Sequence, residues 1–175
     1  MIMTPSLRKF TLTAHISSSV GLLGAVAGFL ALAIAGLSSQ NTQMMRAAYL
    51  AMELTAWFVI VPLAFASLLT GIVQSLGTTW GLFQHYWVLA KLLLSVFVTI
   101  VLLLQMKSIS YLADVAAETV LTSADLREAR MSLVAHAGGG LLVLLVPVAR
   151  SVYKPQGMTR YGRRKRHEQH TVILP

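Results

Sequence analysis

The sequence predicts an all-α protein, a four-transmembrane-helix bundle, and three observations carry that expectation. Four apolar segments, Phe10–Leu37, Leu54–Leu76, Tyr86–Met106 and Met131–Ala149, take up most of the 175 residues. An α-helix rises about 1.5 Å per residue, so ~20 apolar residues cross ~30 Å of hydrocarbon. Hydrophobic residues make up 56% of the chain and charged residues 11%, far below the ~25% charged residues usual in soluble domains. Mean hydropathy is +0.71. Backbone amides in lipid must be satisfied within their own segment, so such segments are helices rather than strands. The expected spans are 10–37, 47–76, 86–106 and 131–151, in one domain of residues 1–155 followed by a basic tail over 156–175.

The first segment begins beside Arg8 and Lys9, and Ala33-Ile34-Ala35 imitates a cleavage site. Its 28 apolar-rich residues exceed the roughly 7–15 of a signal-peptide core, so it reads as a retained helix. Along it Ala14, Ser17, Gly21, Gly24, Gly28, Ala31 and Ala35 recur at steps of three and four, and all are small. Such a stripe lets a second backbone approach closely. Packing against another helix of this chain is the expected use, with a homodimer or another membrane protein as the alternative partner.

The second and fourth segments contain Pro62 and Pro147, which a membrane helix tolerates as kinks. Between the second and third lies a link rich in glycine and aromatics, with Trp80, Phe83, Tyr86 and Trp87 suited to a headgroup layer. Lys107–Arg130 is the longest connection. Leu112, Val115, Ala116 and Thr119 recur in it at helical spacing, so part of it lies along the interface or extends the third helix. Thr122 or Ser123 is placed to cap the fourth helix, with Asp125 and Glu128 near its positive end. Within that helix Gly138-Gly139-Gly140 permits close packing, or leaves room for a flat cofactor.

Four crossings put both ends on one side. That side would hold Arg8, Lys9, Arg150, Lys154, Arg160, Arg163, Arg164, Lys165 and Arg166. The other would hold Arg46, Lys107, Arg127 and Arg130, diluted by Asp114, Glu118, Asp125 and Glu128. Excess Lys and Arg mark the cytoplasmic face, so the expected location is the bacterial cytoplasmic (inner) membrane with both termini inside. The net charge of +8 owes much to Arg150–Arg166, which carries seven of the fourteen Lys and Arg. A basic run next to a membrane end meets the anionic inner leaflet, so lipid headgroups are its expected partner and nucleic acid is not.

Ionisable residues inside a span are costly and call for a reason. Glu53 and His136 lie at equal expected depth, about 10 Å below one boundary, where a carboxylate and an imidazole could pair between the second and fourth helices. The plain reading is an interhelical hydrogen bond; the alternative is a small proton or ion carrier through the two groups. Lys91 can extend its ammonium to the nearby headgroups, and His15 has Ser18 and Ser19 on its own turn for hydrogen bonding.

Two cofactors fit these side chains as alternatives. A b-type haem needs facing axial ligands at similar depth, for which His15, His85 and His136 are the candidates. His15 with His136 fails because the two are expected in opposite leaflets, His15 with His85 fits if the third helix begins early, and His136 with a methionine is a further geometry. Copper(I) favours thioether and imidazole, and Met44, Met45, Met52, Met106 and Met131 cluster at expected helix ends above His136. Methionine is also an ordinary flexible core filler. With no cysteine there is no disulfide framework or thiolate site. No hydrolase elbow, phosphate-binding glycine loop, HExxH or EF-hand loop is present.

Four stretches carry a resemblance: His15-Ile-Ser-Ser-Ser-Val-Gly-Leu-Leu-Gly-Ala25, Ser75-Leu-Gly-Thr-Thr-Trp-Gly-Leu-Phe-Gln-His-Tyr-Trp87, His136-Ala-Gly-Gly-Gly140 and Tyr153-Lys-Pro-Gln-Gly-Met-Thr-Arg-Tyr-Gly-Arg163. Over nearly its whole length the chain resembles an uncharacterised family of small bacterial, especially actinobacterial, four-helix membrane proteins. That resemblance implies the fold and brings no activity or functional residue with it. Through its helix-borne histidines alone, the chain also resembles faintly the cores of bacterial copper-resistance membrane proteins. The function expected from all of this is a non-enzymatic structural or interaction role in the membrane.

Overall fold

The computed structural model describes residues 3–77, 86–118, 124–153 and 159. Four long helices account for nearly all of them: α1 Pro5–Ser38, α2 Thr42–Gly77, α3 Tyr86–Glu118 and α4 Ala124–Tyr153. Each contains a stretch long and apolar enough to cross a membrane, as the apolar segments require. No strand occurs among the described residues.

Local chemistry sets the helix ends. Pro5 occupies the first turn of α1, where its missing N–H costs nothing and its φ is already helical. Ser39 ends α1, donating its N–H back to the Ala35 carbonyl. Asn41 then starts α2, its side-chain oxygen accepting from the N–H groups of Gln43 at 2.8 Å and Met44 at 3.2 Å. That cap satisfies two of the four orphan donors at the helix start. It explains why α2 begins at Thr42 rather than at the expected 47: the polar cap, and not the first apolar residue, initiates the helix. Likewise most of the expected connection 107–130 is helical. α3 continues past Met106 to Glu118 and α4 begins at Ala124, so buried Ile109, Leu112 and Ala116 join the core.

α2 is α-helical over Thr42–Thr55 and Val61–Gly77, with a π-helical stretch Ala56–Ile60 between them. Pro62 supplies the reason. It has no N–H for the Phe58 carbonyl, and its ring crowds that carbonyl in a regular α-helix. The widened turn, in which the Val61 N–H reaches back five residues to Ala56, relieves the clash without breaking the helix.

The helices form a ring in chain order. α1 packs on α2 and α4, and α3 packs on α2 and α4, so α1/α3 and α2/α4 are the diagonal pairs. The core runs through Leu22, Phe29 and Ala33 of α1, Met45 to Ala64 of α2, Met106 to Ala116 of α3, and Leu126, Leu133 and Ala137 of α4. It is densest at the end carrying the α1–α2 link. Toward the opposite end α3 stands away from its neighbours, and only 6% of its most apolar window is buried.

The inward seam of α1 is not the stripe of small residues. Thr11, Ser18, Leu22, Phe29, Ala33 and Gly36 are the buried positions, one step around the helix from the stripe. Of the stripe, Ala14, Gly21 and Ala35 are half-buried, and a Cβ on Gly21 would stand 3.3 Å from Leu63. Ser17, Gly24, Gly28 and Ala31 are exposed, and nothing lies within 4 Å of where a Cβ on Gly24 or Gly28 would be. The larger Leu22 and Phe29 fill the ring interior instead, because van der Waals contact there grows with side-chain size.

Candidate functional site

Three polar or hollow places interrupt the apolar bundle. The first closes the link end. The last carbonyls of any helix lack intrahelical donors, and those of α1 face Arg130 on the first turns of α4. Arg130 is buried at 8% exposure. Its Nη2 donates to the carbonyls of Gly36 and Leu37 and to the Met45 sulfur at 3.3 Å, and its Nε donates to the Tyr49 hydroxyl at 2.8 Å. The guanidinium also lies 5.6 Å from the centre of the Tyr49 ring, close enough for a cation–π contribution. A cation at the negative end of α1 is favourable as well. Arg130, expected as a boundary charge, is therefore a buried clasp joining α1, α2 and α4. Its sequence signal was the antiparallel register, which brings the start of α4 to the open carbonyls at the end of α1.

The second place joins α1 to the latter part of α2. His15 Nδ1 lies 3.0 Å from the Ser67 carbonyl and 3.2 Å from the Thr70 hydroxyl. One turn further the hydroxyls of Ser19 and Ser67 share a hydrogen bond at 2.8 Å. Gly71 makes room, since a Cβ there would stand 3.1 Å from the imidazole Cε1. His15 is thus engaged between helices through α2, not through its neighbours Ser18 and Ser19; Ser18 bonds to the His15 carbonyl.

The third is a cavity of about 500 Å³. Leu22, Phe29, Ile60 and Ala64 form its buried floor on α1 and α2, while Phe97, Ala135, His136 and Gly139 on α3 and α4 are exposed. Its mouth therefore opens sideways between α3 and α4, where α3 stands apart. The wall is overwhelmingly apolar, and its polar members are Ser67, Ser95, Thr99, Gln105 and His136. Thr99 is spent on its own helix, donating to the Ser95 carbonyl at 2.8 Å. The glycine run borders this space: Gly139 and Gly140 line it, and a Cβ on any of Gly138, Gly139 or Gly140 would meet nothing within 4 Å.

The expected pairing of Glu53 with His136 is not made. The two residues sit on the diagonal helices α2 and α4, and His136 Nδ1 instead contacts the Ser132 carbonyl at 2.7 Å and the Ser132 hydroxyl at 3.2 Å. Glu53 is half-buried one turn beyond Tyr49. Arginine reaches across the diagonal where a shorter imidazole does not.

His15 and His136 stand at different levels of the bundle. Arg130 registers with Gly36, so His136, six residues along α4, lies about 9 Å from that level, while His15, 21 residues back along α1, lies about 32 Å from it. No single plane holds both as axial ligands. His85 lies outside the described residues. The copper set is divided as well. Met45, Met52 and Met106 are buried core members, Met45 bonded to Arg130, whereas Met44 and Met131 are more than half exposed. Among the described residues no three His, Cys, Asp or Glu groups gather as a metal site. Of the expected headgroup-binding set, Arg150 lies at the end of α4, and Lys154, Arg160, Arg163, Arg164, Lys165 and Arg166 fall outside the described residues.

No family model matches this chain, and neither a curated protein nor a solved structure matches it.

Proposed function

We propose that this chain is a non-enzymatic integral protein of the bacterial cytoplasmic membrane that holds an apolar molecule in the cavity between α3 and α4. The cavity is the observation that carries this reading. Its volume of about 500 Å³ lies within the ~300–1,000 Å³ of ordinary small-molecule sites. A helix bundle built only for its own stability packs to the density of an organic crystal, because an empty space forfeits the contacts of its lining. A lateral mouth suits a ligand that arrives from lipid rather than from water. The four spans and the excess of Lys and Arg near the chain ends support an orientation with both termini in the cytoplasm. The basic tail then rests on the anionic inner leaflet.

Photolabelling in lipid nanodiscs tests the binding role. A medium-chain alkyl diazirine is expected to label the cavity-lining parts of α3 and α4 above the level seen on the outward face of α1. Gly140→Leu fills the cavity from a position with free space around it, and should return that labelling to the outward-face level. Equal labelling of the wild type and the variant would remove the proposal.

A further inference from the structure

We infer that the molecule held in this cavity is a neutral lipid bearing a hydroxyl group, with Gln105 and His136 as its polar contacts; this rests on the binding role just proposed. The first argument is charge. No Lys, Arg, Asp or Glu belongs to the described wall, so nothing there compensates a phosphate or carboxylate taken out of water, and burying an unpaired ion is prohibitive. Anionic amphiphiles are thereby selected against.

The second argument is hydrogen-bond capacity. A carbonyl only accepts, so the contact between His136 Nδ1 and the Ser132 carbonyl at 2.7 Å places the proton on Nδ1. With the proton on Nδ1, the uncharged form of the ring carries a bare lone pair on Nε2, which calls for a donor. The described structure gives Nε2 no partner. Gln105 of α3 likewise has no side-chain hydrogen bond among the described residues, and its carboxamide both donates and accepts. In an apolar surrounding each such group gains from a ligand that completes it. A hydroxyl does so for both, donating to the His136 Nε2 and accepting from the Gln105 amide, while a hydrocarbon does so for neither.

Register supports a single site. Leu102 and Ile109 flank Gln105 on one face of α3, and Leu133 and Gly140 flank His136 on one face of α4; all four belong to the cavity wall. The two polar groups thus stand among apolar surface from both helices, the arrangement expected of a polar head set within a greasy tail site.

Competition against the alkyl diazirine tests this, using a medium-chain alcohol, alkane and carboxylate of one chain length at equal membrane concentration. In the wild type the alcohol is expected to compete about threefold to tenfold better than the alkane, the size of one to two modest hydrogen bonds, and better than the carboxylate. Gln105→Leu with His136→Leu should bring the alcohol down to the alkane while the alkane still competes, which shows the cavity intact. An alcohol no better than the alkane, a carboxylate that competes best, or a preference that survives both substitutions would overturn the inference. Because diazirine labelling blocked by Gly140→Leu reports the cavity itself, failure of the binding role and failure of the hydroxyl preference give different results.

Discussion

Arg130 and Tyr49 meet across the diagonal of the bundle, the Arg130 Nε donating to the Tyr49 hydroxyl at 2.8 Å with both side chains buried. The same guanidinium completes the carbonyls of Gly36 and Leu37 at the end of α1. Three helices that contribute different chemistry, an acceptor hydroxyl, two orphan carbonyls and a cation, are therefore held by one residue. Tyr49→Phe should cost about 2 kcal/mol, the usual loss for a hydrogen bond to a charged group. Arg130→Met should cost more, because it leaves the buried carbonyls without this donor. Unfolding in mixed detergent micelles measures both, and equal stability of all three proteins would deny Arg130 this role.

Gly36 makes the clasp possible by leaving space. A Cβ there would lie 3.0 Å from Tyr49 Cζ and 3.2 Å from its hydroxyl oxygen, and Tyr49 is only 2% exposed, so the ring has little room to yield. Alanine gains about 1 kcal/mol over glycine in helix propensity. At Gly36 that gain is outweighed and the variant is less stable. Gly24→Ala and Gly28→Ala meet open space and should leave stability unchanged or slightly raised. The same unfolding assay compares the three, and a Gly36→Ala protein as stable as the other two contradicts the expectation.

A second glycine reports on His15. A Cβ on Gly71 would press on the imidazole Cε1 at 3.1 Å, displacing a ring that contacts the Ser67 carbonyl and the Thr70 hydroxyl. Gly71→Ala should therefore destabilise the wild type and be harmless in a His15→Ala background. A double-mutant cycle reads this as a coupling of about 1 kcal/mol, in the range for neighbouring residues. Additive effects would show that the two positions do not touch.

Topology is open to direct labelling because the chain has no cysteine. The proposed orientation puts both termini in the cytoplasm, so Gln40→Cys in the α1–α2 link should react with a membrane-impermeant maleimide in intact cells. Thr4→Cys should react only after the cells are opened. The reverse pattern, or reaction of both, rejects the proposed orientation.

Much of this architecture was legible in the chain. Length and hydropathy alone demand four helices, because lipid leaves an apolar segment no other way to satisfy its amides. Helix ends were less legible. Asn41 starts α2 through two hydrogen bonds that no hydropathy pattern contains, and α3 carries its apolar spacing through Lys107 and Asp114 to Glu118.

The amino-acid sequence by itself determined how many helices form, where their apolar stretches lie and which end of the chain is basic, since these depend on side-chain solubility and hydrogen bonding within single segments. Only the tertiary structure decided which residues meet. The ring order set Glu53 and His136 on diagonal helices, drew Arg130 inward to the open carbonyls of α1, turned the glycine-rich stripe of α1 partly outward, and left a cavity where α3 stands away from α4. The physical reason is that lipid hardly favours one apolar face over another. Pairing among the helices therefore rests on shape and on the few polar groups that need partners, and both are properties of the assembled bundle.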